Sequence, residues 1–304
     1  MVPDRRFVFI RRRTGLSGRS LRCAETVARA GHATLVVEDE WISVEELLHH
    51  DPRTATRNRA SGRRARGHRR KLRLPTPSDA SSPDLVLKVP EPASPTPPRR
   101  LHPLDRAFLR RAPRPLWLLH PAQGPDLRVV VAVVGLDGRL GPADQTVLRS
   151  AASLSRSLAG SLHVVLPWSF LGVSILASPT RGLSPERTRS VLGTLQSGQE
   201  DRLEEFVSST VSGARPRCWV RRGDALSVVQ EVAWEVEADV VVSAGNGAVG
   251  PGSLVMGSFP ERLALATPAS LLLVKSGEWE GWDEAKPSAI RHPMVERVAA
   301  GVGA

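Results

Sequence analysis

The second half of the chain alternates apolar runs of strand length with amphipathic runs of helix length, and this alternation restricts its fold most. The β-branched run "VVVAVV" at 129–134 is typical of a strand buried on both faces of a parallel sheet. The next pattern is helical, with Asp144 predicted as the N-cap and Gly160 as the stop. A βαβαβαβαβ order over residues 126–276 predicts a doubly wound parallel sheet with helices on both faces.

The first half repeats parts of this pattern. The run "RFVFI" at 6–10 corresponds to the first strand of the second half, and "PDLVLKV" at 83–89 matches "ADVVVSA" at 238–244. The early matches lie 122 to 128 residues apart and the late ones 155 apart, so the first copy is about 30 residues shorter. We therefore predict two related α/β domains in tandem, the first of them shortened.

The repeat sets the predicted domain boundaries. The shortened first domain spans 1–122 and contains an arginine-rich loop at 53–73, and the second domain spans 123–276. The tail at 277–304 has no strong period. We expect the tail to be partly disordered or docked through its tryptophans.

Charge is distributed unevenly along the chain. The net charge is +11, and the excess lies in the first half, since residues 126–276 hold 14 basic and 14 acidic side chains. The segment 53–73 alone carries ten Lys and Arg and no acid. Two explanations stay open for it: a solvated, mobile loop, or a surface for phosphate backbones. Because it contains no aromatic residue for base stacking, we do not expect nucleic acid as a partner.

The remaining composition excludes several classes of protein. Two cysteines support neither a disulfide framework nor a cysteine zinc site, and no histidine cluster has metal-ligand spacing. We predict no catalytic residue and no metal site. The apolar core of the start is four residues long, and no run approaches the roughly 20 apolar residues that span a bilayer. We expect a soluble, cytoplasmic protein without a membrane partner.

A glycine-rich loop, "SAGNGAVGPGSLVMGS" at 243–258, follows the apolar run "ADVVV". Gly247 and Gly257 would let backbone amides approach a phosphate, and the free N–H groups of a helix starting at Ser258 attract anions. A second explanation stays open. Ser258 and Glu261 form the pattern of a capping box, and the other glycines suit ordinary turns.

The stretches "GDALSVVQEVAWEVEADVVVSAGNG" and "GSFPERLALATPASLLLVK" resemble the universal stress protein family, and the repeat resembles its tandem, universal stress protein E type. The weaker match "PDLVLK" with "PLDRAFLRRAPRPLWLLH" extends the resemblance into the first half. The resemblance implies a Rossmann-like fold of the adenine nucleotide alpha hydrolase kind, with five parallel strands per domain. It also implies that the two domains pair within the chain like a dimer of single-domain proteins, and it adds a homodimer and protein partners as expectations.

The resemblance also implies a site for ATP or another adenine nucleotide in the second domain. Counting back from Gly257 and Ser258 along the family's G-x2-G-x9-G-S/T motif reaches Gly247 and then Ala244, where the family has glycine unless Gly245 takes that place. Val134 stands where binding members have aspartate. The implied nucleotide-binding positions are Val134, Ala244, Gly245, Gly247, Gly257, Ser258 and Phe259.

In the first domain the corresponding positions are His102 and Pro103, and proline has no N–H for a phosphate, so we expect no site there. We therefore expect a stress-response protein that acts by binding, with a nucleotide as one possible modulator. Slow ATP hydrolysis at the glycine loop and nucleic-acid association through 53–73 are the alternatives.

Overall fold

The computed structural model describes residues 5–11, 18–39, 84–90, 101, 103–111, 114–120, 122–136, 138–169, 184–213, 215–245, 258–275 and 296–297. The strands are β1 (Arg5–Arg11), β2 (Ala33–Asp39), β3 (Leu85–Lys88), β4 (Leu116–Leu118), β5 (Val129–Val133), β6 (Ser161–Trp168), β7 (Arg217–Arg222), β8 (Val240–Ala244), β9 (Ser270–Val274) and β10 (Glu296–Arg297). The helices are α1 (Gly18–Ala30), α2 (Pro103–Arg111), α3 (Pro142–Ser157), α4 (Pro185–Thr210), α5 (Ala225–Glu235) and α6 (Phe259–Ala266). None of these helices combines the length and apolar character needed to cross a bilayer.

The described strands form one sheet with the order β10-β2-β1-β3-β4-β9-β8-β5-β6-β7. Strands β5 to β9 belong to the second half and are parallel to one another, with β5 between β6 and β8. Strands β1 to β4 belong to the first half and are also parallel. The predicted pair of doubly wound α/β units is confirmed, because each half has a parallel sheet with helices between its strands.

The two halves meet edge to edge at β4 and β9, which pair antiparallel. Trp117 lies directly opposite Leu272, the residue 155 positions later that the repeat makes its equivalent. A local two-fold axis therefore passes between Trp117 and Leu272. The offset of 155 residues between the late repeats is also the separation of these two paired residues. The two halves of this chain are thus joined through one edge strand from each of them.

Two hydrophobic clusters cover the faces of the sheet. The larger one contains Val134 and Trp117 together with apolar residues of α1, α3 and α4. The second contains Leu116 and Leu118 together with apolar residues of α2, α5 and α6. Because β4 and β9 contribute to both clusters, the cores of the two halves are continuous across the join.

The start of α3 corrects one sequence prediction. The helix begins at Pro142 with Gly141 as its N-cap, so Asp144 is not the cap. The Asp144 carboxylate instead accepts from the amides of Gly135, at 2.8 Å, and Gly141, at 2.9 Å, which closes the loop after β5. Gly160 follows the end of α3 as predicted, and a Cβ there would lie 2.0 Å from the Arg128 carbonyl oxygen.

The tail contributes one short strand to the first half. Glu296 and Arg297 pair parallel with Val36 and Val37 of β2. This strand lies beside β2 on the side away from β1, where the second half has β7 beside β6. A segment of the tail thus takes the place of a strand that the shortened first half does not have among its described residues.

Candidate functional site

The described nucleotide positions lie at the ends of two strands, β5 and β8, and at the start of α6. Ala244 ends β8, and the Gly245 amide donates to the Val274 carbonyl at 2.7 Å, which extends the pairing of β8 with β9 by one residue. Ser258 is the N-cap of α6, and Phe259 begins that helix. Gly247 and Gly257 lie outside the described residues.

Val134 is a residue of the hydrophobic core. Its side chain is fully buried in the larger hydrophobic cluster, and its amide donates to the Val165 carbonyl at 3.0 Å. Ala244 and Phe259 are partly buried against the two clusters. Of the described positions that the resemblance implied, Gly245 and Ser258 therefore offer polar or backbone groups, whereas the side chains of the other three pack on apolar residues.

The capping-box interpretation of Ser258 is wrong. Ser258 has the extended backbone of an N-cap, but its hydroxyl accepts no hydrogen bond from the first turn of α6. In a capping box the Glu261 side chain would also reach back to the backbone amide of Ser258. Its carboxylate is buried and ion-paired with a helix of the first half instead.

The partners of Glu261 are two arginines of α2. Arg110 contacts both carboxylate oxygens, through Nε and, at 3.3 Å, through Nη2, and Arg106 Nε lies 3.6 Å from the second oxygen. Glu261 is 6% exposed, whereas the two arginines are about half exposed. A buried carboxylate needs such partners because its desolvation is otherwise costly. The first turn of α6 is therefore held by the first half of the chain.

Lys275 forms a second link between the halves at the same edge. Its Nζ donates to the carbonyl of Leu109 in the last turn of α2, at 3.2 Å, and to that of Gly245, at 3.4 Å. A Cβ on Gly245 would lie 2.7 Å from the Lys275 side chain, so the lysine occupies space that only glycine leaves free. Within the described part of the chain its ammonium has no carboxylate partner, and burial lowers its pKa.

This lowered pKa predicts a measurable pH dependence of stability. The folded protein releases the Lys275 proton below the ordinary pKa of 10.5, so the unfolded chain binds more protons in that interval. The lysine's contribution to the free energy of unfolding is therefore lost as pH falls through the folded pKa, and it rises with pH towards 10.5. We expect this rise in the wild type and not in Lys275→Met, in urea unfolding at a series of alkaline pH values. Parallel curves for the two proteins would contradict the assignment.

The first half has a different arrangement at the equivalent edge. The offset of 155 places Lys88 where the second half has Ser243. The Lys88 ammonium lies 3.4 Å from the Asp105 carboxylate in the first turn of α2, and both side chains are essentially inaccessible. Ser243 is also fully buried, and its hydroxyl has no hydrogen-bond partner among the described residues. An internal ion pair thus lies at the strand end and helix start of the first half.

Neither cysteine has the character of a reactive group. Burial raises the pKa of Cys23 to about 12, with a smaller contribution from the Asp239 carboxylate. Burial and Glu204 raise the pKa of Cys218, which lies partly buried against the core. Both thiols therefore stay protonated and unreactive at neutral pH. Within the described ranges no three His, Cys, Asp or Glu side chains gather closely enough to hold a metal ion.

Sequence reasoning missed the residues of α2 and Lys275. Arg106 and Arg110 are spaced i, i+4, which places them on one face of a helix, and this spacing was the available signal. Lys275 gave no comparable signal, because its role depends on the pairing of the halves. The arginine segment 53–73 lies outside the described residues, and the predictions for it stay predictions.

The architecture is that of a tandem α/β protein whose two parallel sheets join edge to edge at β4 and β9. No protein-family model matches the sequence. No curated protein sequence matches it at a significant level.

Solved structures match most of the chain. A protein of unknown function from Pseudomonas aeruginosa PAO1 has 17% identity and a TM-score of 0.55, with 90% of this chain and 92% of the other covered. A candidate universal stress protein from P. aeruginosa UCBPP-PA14 has 18% identity and a TM-score of 0.54, with 90% and 93% covered. A universal stress protein from Archaeoglobus fulgidus DSM 4304 has 14% identity and a TM-score of 0.51, with 89% and 98% covered. The chain therefore has the fold of the universal stress proteins over both of its halves.

Proposed function

We propose that this chain is a cytoplasmic stress-response protein that acts by binding partners, and that its second half holds an adenine nucleotide by the phosphate end. The observation that carries the proposal is the contact of Lys275 Nζ with the Gly245 carbonyl just after β8, because this ammonium has no carboxylate partner among the described residues. The start of α6 adds the Ser258 hydroxyl, which caps no amide, and the amides of a helix start.

The adenosine end has weaker support. The resemblance implies an aspartate at the end of β5. This chain has Val134 there, and its fully buried side chain offers no hydrogen-bond acceptor. Losing a hydrogen bond with a well-placed partner costs roughly 1.5–3 kcal/mol, or about ten- to a hundred-fold in affinity. We therefore propose weak binding that is dominated by the phosphates.

Hydrolysis is not part of the proposal, because the described residues of this edge offer no free base. Glu261 is the acidic residue in the first turn of α6, and two arginines engage its carboxylate. A general base must be able to reach and accept a proton from the attacking water. Phosphate release from ATP is therefore expected to stay at the background rate.

Calorimetric titration with Mg·ATP tests the proposal. We expect binding to the wild type and at least about tenfold weaker binding to Lys275→Met and to Ser258→Ala, because each change removes a donor to phosphate. Arg189→Met is the matched control, since it removes one positive charge from an exposed position on α4. Equal heats in the wild type and Lys275→Met would show that this edge is not the site.

A further inference from the structure

A second candidate site lies at the opposite, amino edge of the second half. A pocket of about 330 Å³ opens between the end of α3, the start of β6 and the segment leading into β7. Its polar lining includes Arg156, Ser161, His163, Arg215 and Arg217, and none of the described residues that line it is acidic. The pocket is therefore distinct from the edge that carries Gly245 and Lys275.

The charge of this pocket is its main feature. Arg156 comes from the last turn of α3, and Arg215 and Arg217 approach from the side of β7. Three guanidinium groups around one cavity repel one another, and a multiply charged anion between them removes that repulsion. The planar fork of arginine also matches the oxygens of a phosphate in a bidentate way.

One of these arginines is held in position by an aromatic ring. The Arg217 guanidinium lies 4.4 Å from the ring centroid of Trp219, which is on the same face of β7 because side chains alternate along a strand. Arg221 lies over the same ring at 4.9 Å, and its guanidinium donates to the Glu235 carboxylate at 2.5 Å. We therefore do not count Arg221 among the cationic contacts of the pocket. The stacking reduces the conformational freedom that Arg217 would lose on binding a ligand.

A short chain of hydrogen bonds directs a hydroxyl towards the pocket. The Trp219 Nε1–H donates to His163 Nδ1 at 3.1 Å, so the neutral imidazole carries its proton on Nε2. His163 Nε2 lies 3.5 Å from the Ser161 hydroxyl oxygen and can donate to it. The Ser161 hydroxyl proton is then left for a ligand. Burial and the nearby Arg217 lower the pKa of His163, which keeps the imidazole neutral at pH 7.

We propose that this pocket binds the phosphate or pyrophosphate group of a small, free phosphate compound, with Arg156, Arg215 and Arg217 as its cationic contacts and Ser161 as a hydroxyl donor. The volume lies at the lower end of the range for ligand pockets, roughly 300–1,000 Å³, and suits a small compound better than a polymer. The site is independent of the proposed nucleotide edge, and the protein thus has two phosphate sites at opposite ends of one sheet.

Calorimetric titration with inorganic pyrophosphate, without nucleotide, tests this proposal. The double variant Arg215→Gln, Arg217→Gln removes two exposed charges of the pocket and should weaken binding at least about tenfold. The matched control is Arg187→Gln, Arg189→Gln, which removes the same charge from the exposed start of α4 and should change the affinity less than about twofold. Ser161→Ala, a second variant in the pocket, should weaken binding several-fold.

Four results would overturn the proposal. One is the absence of binding to the wild type at millimolar pyrophosphate, and another is an equal loss in the pocket variant and the control, which would indicate unspecific charge attraction. The third is a loss in Lys275→Met with full binding in the Arg215, Arg217 variant, because the anion would then occupy the carboxyl edge. Binding of a single-stranded RNA oligomer with no binding of pyrophosphate would also contradict a small-molecule site.

Discussion

Replacing Trp117 with alanine is expected to lower the free energy of unfolding by about 3–5 kcal/mol, the cost of truncating a large buried aromatic residue. Trp117 is fully buried and lies at the centre of the join between the halves, opposite Leu272. The cavity would open in the larger hydrophobic cluster. Both halves would lose packing at once, because Trp117 belongs to this cluster together with Leu272 and other residues of the second half.

Urea unfolding followed by far-UV circular dichroism measures this loss. Trp234→Ala is the matched control, since Trp234 is 65% exposed on α5 and its removal should change the free energy by less than about 0.5 kcal/mol. If Trp117→Ala were as stable as the control, the edge-to-edge join of β4 and β9 would be contradicted.

The second large effect is expected from the buried pair of Lys88 and Asp105. Asp105→Ala leaves the Lys88 ammonium buried without that carboxylate, and breaking a buried pair in this way costs about 3–5 kcal/mol. Lys88 also lies 5.6 Å from the ring centroid of Phe108, a contact too weak to replace the carboxylate. We expect the double variant Lys88→Met, Asp105→Leu to recover most of the lost stability, because an apolar pair needs no desolvation of charge.

The same unfolding measurement on Lys88→Met, on Asp105→Leu and on the double variant forms a thermodynamic cycle. A double variant that is as unstable as the sum of the two single variants would show that the charges are not coupled. In that case attraction between Lys88 and Asp105 would not stabilise the end of β3 and the start of α2.

The sequence predicted the second half well because its patterns are local. The run at 129–134 is valine at every position except Ala132, and Asp224 caps α5 by accepting from the amides of Leu226 and Ser227. Such signals depend on residues that are close in sequence, so they can be recognised without knowledge of the tertiary structure. The repeat offset of 155 identified Trp117 and Leu272 as equivalent residues, but the pairing of β4 with β9 came from the structure.

The misplaced predictions depended on contacts across the molecule. Ser258 and Glu261 have the spacing of a capping box, but Arg110 lies 151 residues before Glu261 and engages its carboxylate. A buried ion pair outweighs a solvent-exposed cap because its carboxylate has no water to solvate it. Asp144 was misassigned in a similar way, since its second acceptor bond goes to Gly135 at the end of β5.

The antiparallel join of β4 and β9 has a consequence for how stability responds to protein concentration. Two separate chains that paired through these edges would dissociate on dilution. Here both edges belong to one chain, so each edge meets the other at a high effective concentration. The midpoint of unfolding should therefore be the same at any protein concentration, as for an intramolecular reaction. Any self-association of the whole molecule must then use another surface, because this pair of edges is already occupied.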